Sequence, residues 1–313
     1  MTTYVIRRTL AIVPVLFFVS VITFILMHLT PGGPFDVEEG RRKDAVMQQR
    51  MEAAFGLDKP LWEQYTTYMW NALHLDLGPS FQYRDQNVSD LIRDHLGYSA
   101  RLGLQAEVFA IIVGLLLGTI AALRQNTWID YLAIFLATMG VAIPSFILSL
   151  YLILIFASTL HIVPVAPSLE QYQTQPFTWL LPTLALGLPS ASYLARLARS
   201  SMLEVIRQDY IRTARSKGLR ERVVIIRHIV KNGMIPVWTV LGPLTAGLIT
   251  GSFIVERFFG IPGVGQYFLN AFSSRDYSMI MGSTLFYTVA IVVFNLLTDL
   301  TYGLWDPRVR VSK

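Results

Sequence analysis

Six long apolar runs separated by charged or turn-forming segments set the plan of this chain. Residues 9–30 hold 22 positions without Asp, Glu, Lys or Arg, enough to cross about 30 Å of hydrocarbon as a helix. The run is too long for a signal-peptide core, and Pro31-Gly32-Gly33-Pro34 follows it in place of a small-x-small cleavage site. A retained first helix with its N-terminus inside is expected. Residues 102–123 form a second span interrupted only by Glu107, and residues 131–160 a third that Pro144 kinks. Residues 177–195, 234–255 and 279–298 complete the set. Small residues recur at Gly114, Gly118 and Ala122 in the second span and at Gly242 and Ala246 in the fifth. Another helix can approach closely along such rows.

Between the first two spans lies a polar stretch, residues 31–100, with eleven acidic and seven basic residues. Pro60 opens a segment in which Leu61, Tyr65, Tyr68, Met69 and Ala72 keep helical spacing, and a second short helix runs through Val88, Leu91 and Ile92. Long loops cross the membrane regardless of charge, so this insert is placed outside.

Composition and charge agree with a membrane protein. The chain is 53% hydrophobic and 15% charged, against about 25% charged in soluble domains. Its net charge of +5 is segregated by membrane side, which leaves nucleic acid out as a partner. Sixteen of the 26 Lys and Arg fall in the segments assigned inside, ten of them between residues 196 and 236. Both termini are therefore expected in the cytoplasm. There is no cysteine, which excludes disulfides and thiolate chemistry.

The basic stretch after the fourth span is the most informative. Met202, Leu203, Ile206, Tyr210 and Ile211 keep near-helical spacing, Ala214 and Gly218 follow at four-residue steps, and a break falls at Gly218-Leu219. A topology anchor would need only the charge. The apolar stripe points instead to a helix that buries one face in a partner.

Residues 209–218, Asp-Tyr-Ile-Arg-Thr-Ala-Arg-Ser-Lys-Gly, followed by Arg227-His228 and Asn232, resemble the "EAA" loop of ABC importer permeases in their dipeptide/oligopeptide branch. Arg212 stands where the general motif has Glu. By that resemblance Asp209, Tyr210, Arg212, Thr213, Ala214, Lys217 and Gly218 form a coupling helix that enters a groove of an ATP-hydrolysing subunit. A second resemblance lies at residues 255–265, where the branch carries Glu-x-x-Phe-x-x-Pro-Gly-x-Gly in a scoop-like outer gate, here Glu256, Phe258, Phe259, Pro262, Gly263 and Gly265. Physically, the Pro-Gly-x-Gly turn interrupts a helix, and non-helical backbone near membrane depth must be buried in protein or line a cavity. Phe55-Gly56-Leu57-Asp58-Lys59-Pro60-Leu61 and Asp76-Leu77-Gly78 also resemble the peptide permeases, with Leu75 where the family has Gly.

Glu107 and Asp299 are the charged residues inside predicted spans. Such residues face the bundle interior or mark a pathway. Glu107 is read as either a structural partner or a lining residue, and Asp299 as a cap or inner ion pair. There is no phosphate-binding G-x-x-x-x-G-K-[ST] loop and no H-E-x-x-H, and the five histidines are scattered, so no metal site and no catalytic residues are expected.

The resemblance implies an all-α membrane protein of six transmembrane helices, the type I ABC importer permease fold. Residues 1–30 are the first helix, 31–98 the extracytoplasmic insert, and 99–304 a five-helix core. The core carries the coupling loop 196–233 and the outer loop 256–277, and 305–313 form the cytoplasmic tail. The chain would be a transport subunit of the plasma (inner) membrane that binds no cofactor. ATP and Mg would sit in two cytoplasmic ATPase subunits, beside a second homologous permease and an extracytoplasmic solute-binding protein. Peptides are the implied solute, with nickel or oligosaccharides as alternatives within the branch. A secondary transporter is the rival class, but it calls for inverted repeats or a relay of intramembrane charges, and neither is found.

Overall fold

A computed structural model describes residues 10–34, 52–83, 85–165, 167–249 and 253–305, with side chains through 298. Arg7, Arg8, the Asp299 side chain and the tail from Asp306 lie outside the described residues. Every regular element among those described is helical, and the single β feature is a bridge between Pro79 and Asn87.

The first span is α1, Ile12–Leu29. In the insert, Pro60 precedes α2, Leu61–Leu73. The second insert helix and the second span are one element, α3, Val88–Leu123, 36 residues long. The expected break between Ile92 and Leu102 is absent because Gly97 alone cannot end a helix whose apolar period continues through it. Asn87 caps it, its side chain accepting from the Ser89 amide at 2.9 Å.

The third span departs most from expectation. It forms α4, Trp128–Ala142, and α5, Ser145–Thr159, which meet at 101°. Ile143 is extended (φ −87°, ψ 116°) before Pro144, as the ring of a proline demands of its predecessor. A short α6, Leu169–Thr174, starts at a capping box of Ser168 and Gln171. It leads into α7, Leu180–Ile206, which carries the fourth predicted span and the first part of the basic stretch. After α8, Asp209–Ser216, come α9, Glu221–Gly233, and α10, Ile235–Ile249, bent by 48°. The outer segment forms α11, Phe253–Phe259, and α12, Val264–Ser274. The long α13, Tyr277–Trp305, ends the described chain.

Three helices (α1, α3 and 277–298 of α13) are long and apolar enough to cross a membrane alone, and each bent pair adds one more if counted as a single span. The helix α7 falls outside that group because Arg196 and its prolines and serines lower its mean hydropathy, although its 27 residues extend about 40 Å.

The centre of the bundle is the α3–α7 contact, the most extensive in the molecule. A Cβ on Gly114 would stand 2.6 Å from the Ala191 carbonyl oxygen, and one on Gly118 2.5 Å from that of Ala195. The small-residue row of α3 is thus spent inside the chain. Gly242 of α10 sits against the side chain of Thr298 on α13.

Candidate functional site

The basic loop closes one end of the bundle. Gln208 is extended, α8 follows, and Gly218 turns the chain with φ +73° before α9 begins. That is the left-handed geometry glycine adopts without penalty. Across the turn Arg215 grips Glu221 through two hydrogen bonds of 2.8 and 3.3 Å. The Glu221 carboxylate holds the Arg215 guanidinium above its ordinary value.

The apolar side of this loop is divided in a way the spacing could not show. Ile211 and Ala214 are buried with Met202, Val224, Ile229 and Ala122, rooting α8 on α7, α9 and the end of α3. Ala214, expected among the docking residues, faces its own chain. Asp209, Tyr210, Arg212, Thr213, Lys217 and Gly218 are exposed, as is Leu219. The Tyr210 hydroxyl accepts from Asn232 Nδ2 at 3.1 Å, which fixes the ring on the α8 surface. The outcome is a rigid two-helix knuckle with a tyrosine, a leucine and a set of cations on its outer side.

The outer segment is equally ordered. Glu256 is fully buried. Its Oε2 accepts from the Gly265 amide at 2.9 Å and its side chain bonds to Ser99. The Ser99 hydroxyl oxygen in turn accepts from the Val264 amide at 2.9 Å. A Cβ on Gly263 would come within 2.5 Å of Ser99 Oγ, and one on Gly265 within 2.7 Å of Glu256 Oε2. The Pro-Gly-x-Gly run therefore exists so that backbone can wrap a buried carboxylate. Phe259 is buried and its carbonyl accepts from the Tyr172 hydroxyl at 2.6 Å, whereas Phe258 stays exposed. His95 Nδ1 donates to the Pro262 carbonyl at 2.9 Å, leaving Nε2 to accept from the Tyr267 hydroxyl at 2.7 Å.

Glu107 belongs to neither end. It is buried between α3 and α10, where the Thr245 hydroxyl donates to it. Sequence reasoning missed three further polar anchors: Asp130 with Arg199, Asp276, and Ser80. Asp276 had a visible signal, an acid three residues ahead of Met279 at the start of an apolar run. Ser80 had none. The Asp76 carboxyl is held below the usual carboxylate range by the Asn87 amide and the Gly78 backbone N–H. Among the described residues no cluster of three or more His, Asp or Glu is placed to hold a metal.

Bent spans around a dense helix pair, a basic knuckle at one end and a wrapped acid at the other are features of a transport subunit. Comparison with known proteins agrees. Residues 114–311 match the model for the binding-protein-dependent transport system inner membrane component, and residues 1–103 match its N-terminal counterpart. The chain belongs to that family. It is 43% identical to the dipeptide transport system permease protein DppB of Bacillus subtilis (strain 168), over 100% of this chain and 99% of that protein. It is 39% identical to the oligopeptide transport system permease protein OppB of Escherichia coli (strain K12), over 99% and 100%. Among solved structures, the fold is similar to that of the MetNI methionine ABC transporter in an inward-facing conformation. The TM-score there is 0.56 at 14% identity, covering 69% of this chain and 96% of that one.

Proposed function

We propose that this chain is one permease half of an ATP-driven importer of di- or oligopeptides, delivered by an extracytoplasmic binding protein. The observation that carries the reading is the rooted knuckle of α8 and α9. Buried Ile211 and Ala214 anchor it, and exposed Tyr210, Arg212, Lys217 and Leu219 face outward. A helix tied to α7 and α3 in this way transmits a push as a rigid lever. In this reading ATP and Mg are bound by two cytoplasmic ATPase subunits, one docked on this knuckle and one on that of a second homologous permease. Both termini lie in the cytoplasm and α7 is the fourth of six spans. The peptide assignment is supported by the names of the relatives. Nickel or an oligosaccharide is the alternative cargo.

The test is made on the complex purified from a strain expressing the chain with its partners, with peptide-stimulated ATPase activity and uptake as readouts. Tyr210→Ala is expected to uncouple them, with the ATPase retained and uptake lost or attachment weakened. Gly218→Val forces a β-branched residue to φ +73° and is expected to do the same. Normal uptake in both variants would remove the coupling role. ATPase stimulation by nickel or an oligosaccharide, and not by peptides, would replace the solute.

A further inference from the structure

The insert helix α2 has three sides. One, through Gln64, Tyr65 and Tyr68, packs against the rest of the chain: the Tyr65 hydroxyl pairs with Ser20 at 2.8 Å, and Gln64 Oε1 lies 3.3 Å from His28 Nε2. The second carries Glu63, Thr67 and Asn71. The third is largely apolar and uncovered, with Trp62 69%, Trp70 65% and Leu73 74% exposed, Met69 beside them, and Thr66 between, its hydroxyl donating to the Trp62 carbonyl at 2.9 Å. A water-facing helix has no use for two tryptophans on one flank.

The partners of α2 fix its depth. Ser20, Phe24 and His28 all belong to the spanning helix α1, and the rings of Phe24 and Tyr65 stack edge to face at 5.4 Å. Phe24 lies five positions before Leu29, the last residue of α1, or about 8 Å below that end at 1.5 Å per residue. The start of α2 therefore stands level with the last turn and a half of a membrane span. Interfacial helices sink their apolar face about 5–10 Å into the headgroup and acyl boundary, and Trp is enriched at that level. The bare flank is continuous with the lipid side of α1, where Ile22, Ile25 and Leu29 are also exposed. Between the two helices runs a groove of about 340 Å³ lined mainly by apolar side chains, Val21, Ile25, Leu29, Leu61 and Trp62 among them, with His28 as a polar member.

We propose that α2 is a membrane-interface helix: its Trp62–Trp70–Leu73 flank rests in the outer leaflet, and the groove against α1 seats a phospholipid acyl chain. The insert is thereby held against the bilayer surface on one side and left open to water on the side of Asn71. The inference needs α1 to cross the bilayer with its Leu29 end outside, as the proposed topology has it, and is independent of the solute carried.

Because this chain has no cysteine, an introduced one is its only label, and the partner subunits are used with their cysteines replaced. Leu73→Cys, Asn71→Cys and Ile25→Cys are each labelled with a fluorophore in the assembled complex, reconstituted in phosphatidylethanolamine–phosphatidylglycerol vesicles. Quenching is compared for a nitroxide at carbon 5 of an acyl chain and for iodide in water. Position 73 is expected to follow position 25, quenched several-fold more by the lipid nitroxide than position 71, with iodide giving the reverse order. Iodide quenching of 73 equal to that of 71 would overturn the proposal. So would protection of 73 from both quenchers, which would give the flank to a protein partner such as the binding protein or the second permease. Loss of lipid quenching at position 25 would instead refute the lipid exposure of α1 on which the depth argument stands. Trp62→Ser with Trp70→Ser, scored by the same label at 73, is expected to raise iodide access. Unchanged access would likewise count against the role of the tryptophans.

Discussion

Arg199 holds Asp130 in a two-pronged grip, Nε to Oδ1 at 2.6 Å and Nη2 to Oδ2 at 2.8 Å. Asp130 is buried in the first turn of α4, and its Oδ2 also accepts from the Asn126 amide at 3.0 Å. Arg199 sits on α7 two turns before the helix ends and the basic knuckle begins. The pair therefore joins the knuckle's supporting helix to the sharply bent α4–α5 element.

Removing Asp130 leaves a partly buried guanidinium and the Asn126 amide without their acceptor, at about 1–3 kcal/mol. Asp130→Ala is expected to lower the thermal unfolding midpoint of the purified complex markedly. Arg199→Lys keeps the charge but loses the planar fork, so a smaller drop is expected. Midpoints unchanged from the parent in both variants would show that the pair holds nothing.

The glycines of α3 make opposite predictions on one helix. Gly97 is exposed and a Cβ there meets nothing within 4 Å, so Gly97→Ala is expected to stabilise by about 0.5–1 kcal/mol through helix propensity. At Gly118 the added carbon would press on the Ala195 carbonyl and on Ala198 Cβ, 2.9 Å away. Overpacking of that kind costs about 1–3 kcal/mol. The yield of monodisperse protein and its unfolding midpoint should rise for the first and fall for the second. The same sign in both would mean the α3–α7 contact is looser than drawn.

Much of this arrangement was legible in the residues before any coordinates. The first and last apolar runs, the break at Gly218 and the interruption at Pro262-Gly263 each rest on strong local signals, and they fall where expected. The 36-residue α3 was not legible, because an insert helix and a span that share one period look like two elements when polarity changes between them. Nor was the use made of Ile211: an amphipathic stripe says that a face is buried, not against what. The 101° turn at Pro144 exceeds any ordinary proline kink, since Ile143 leaves the helix altogether. Leu75 shows the opposite case. It stands where the resemblance implies Gly, which spoke for a locally different turn, yet it adopts φ +65°, the left-handed geometry that glycine takes without penalty.

Asp76 gives the insert a pH dependence of known sign. Asn87 and the Gly78 amide stabilise its ionised form and lower its native value. The link between the 76–78 turn and the start of α3 is therefore fully present above the usual carboxylate range and is lost as pH falls through the lower native value. Protection of the amides in residues 76–89, taken relative to their intrinsic exchange at each pH, should fall on acidification below that range. Asp76→Asn should flatten the response. A profile identical in the variant would assign the acid sensitivity to another group.

Asp276 is the clasp between the insert and the core. It is fully buried; Oδ2 accepts from the Ser80 hydroxyl and from the amides of Phe81 and Gln82 at 3.0 and 3.2 Å. Its Oδ1 caps α13 by accepting from the Met279 amide at 3.0 Å. One side chain thus starts the last span and holds the turn that leads into α3. Asp276→Ala removes a helix cap, about 1 kcal/mol, and takes away the acceptor of buried donors at about 1–3 kcal/mol each. Asp276→Asn keeps one acceptor oxygen and should cost less. The loss is expected at the outer end alone: limited proteolysis should open residues 76–87 in the alanine variant while the ATPase subunits stay attached at the other end. Unaltered cleavage in that stretch would mean the clasp is redundant with the apolar contact of Val88, Met279 and Ile280. Loss of the ATPases along with it would mean that the two ends of the bundle do not fold independently.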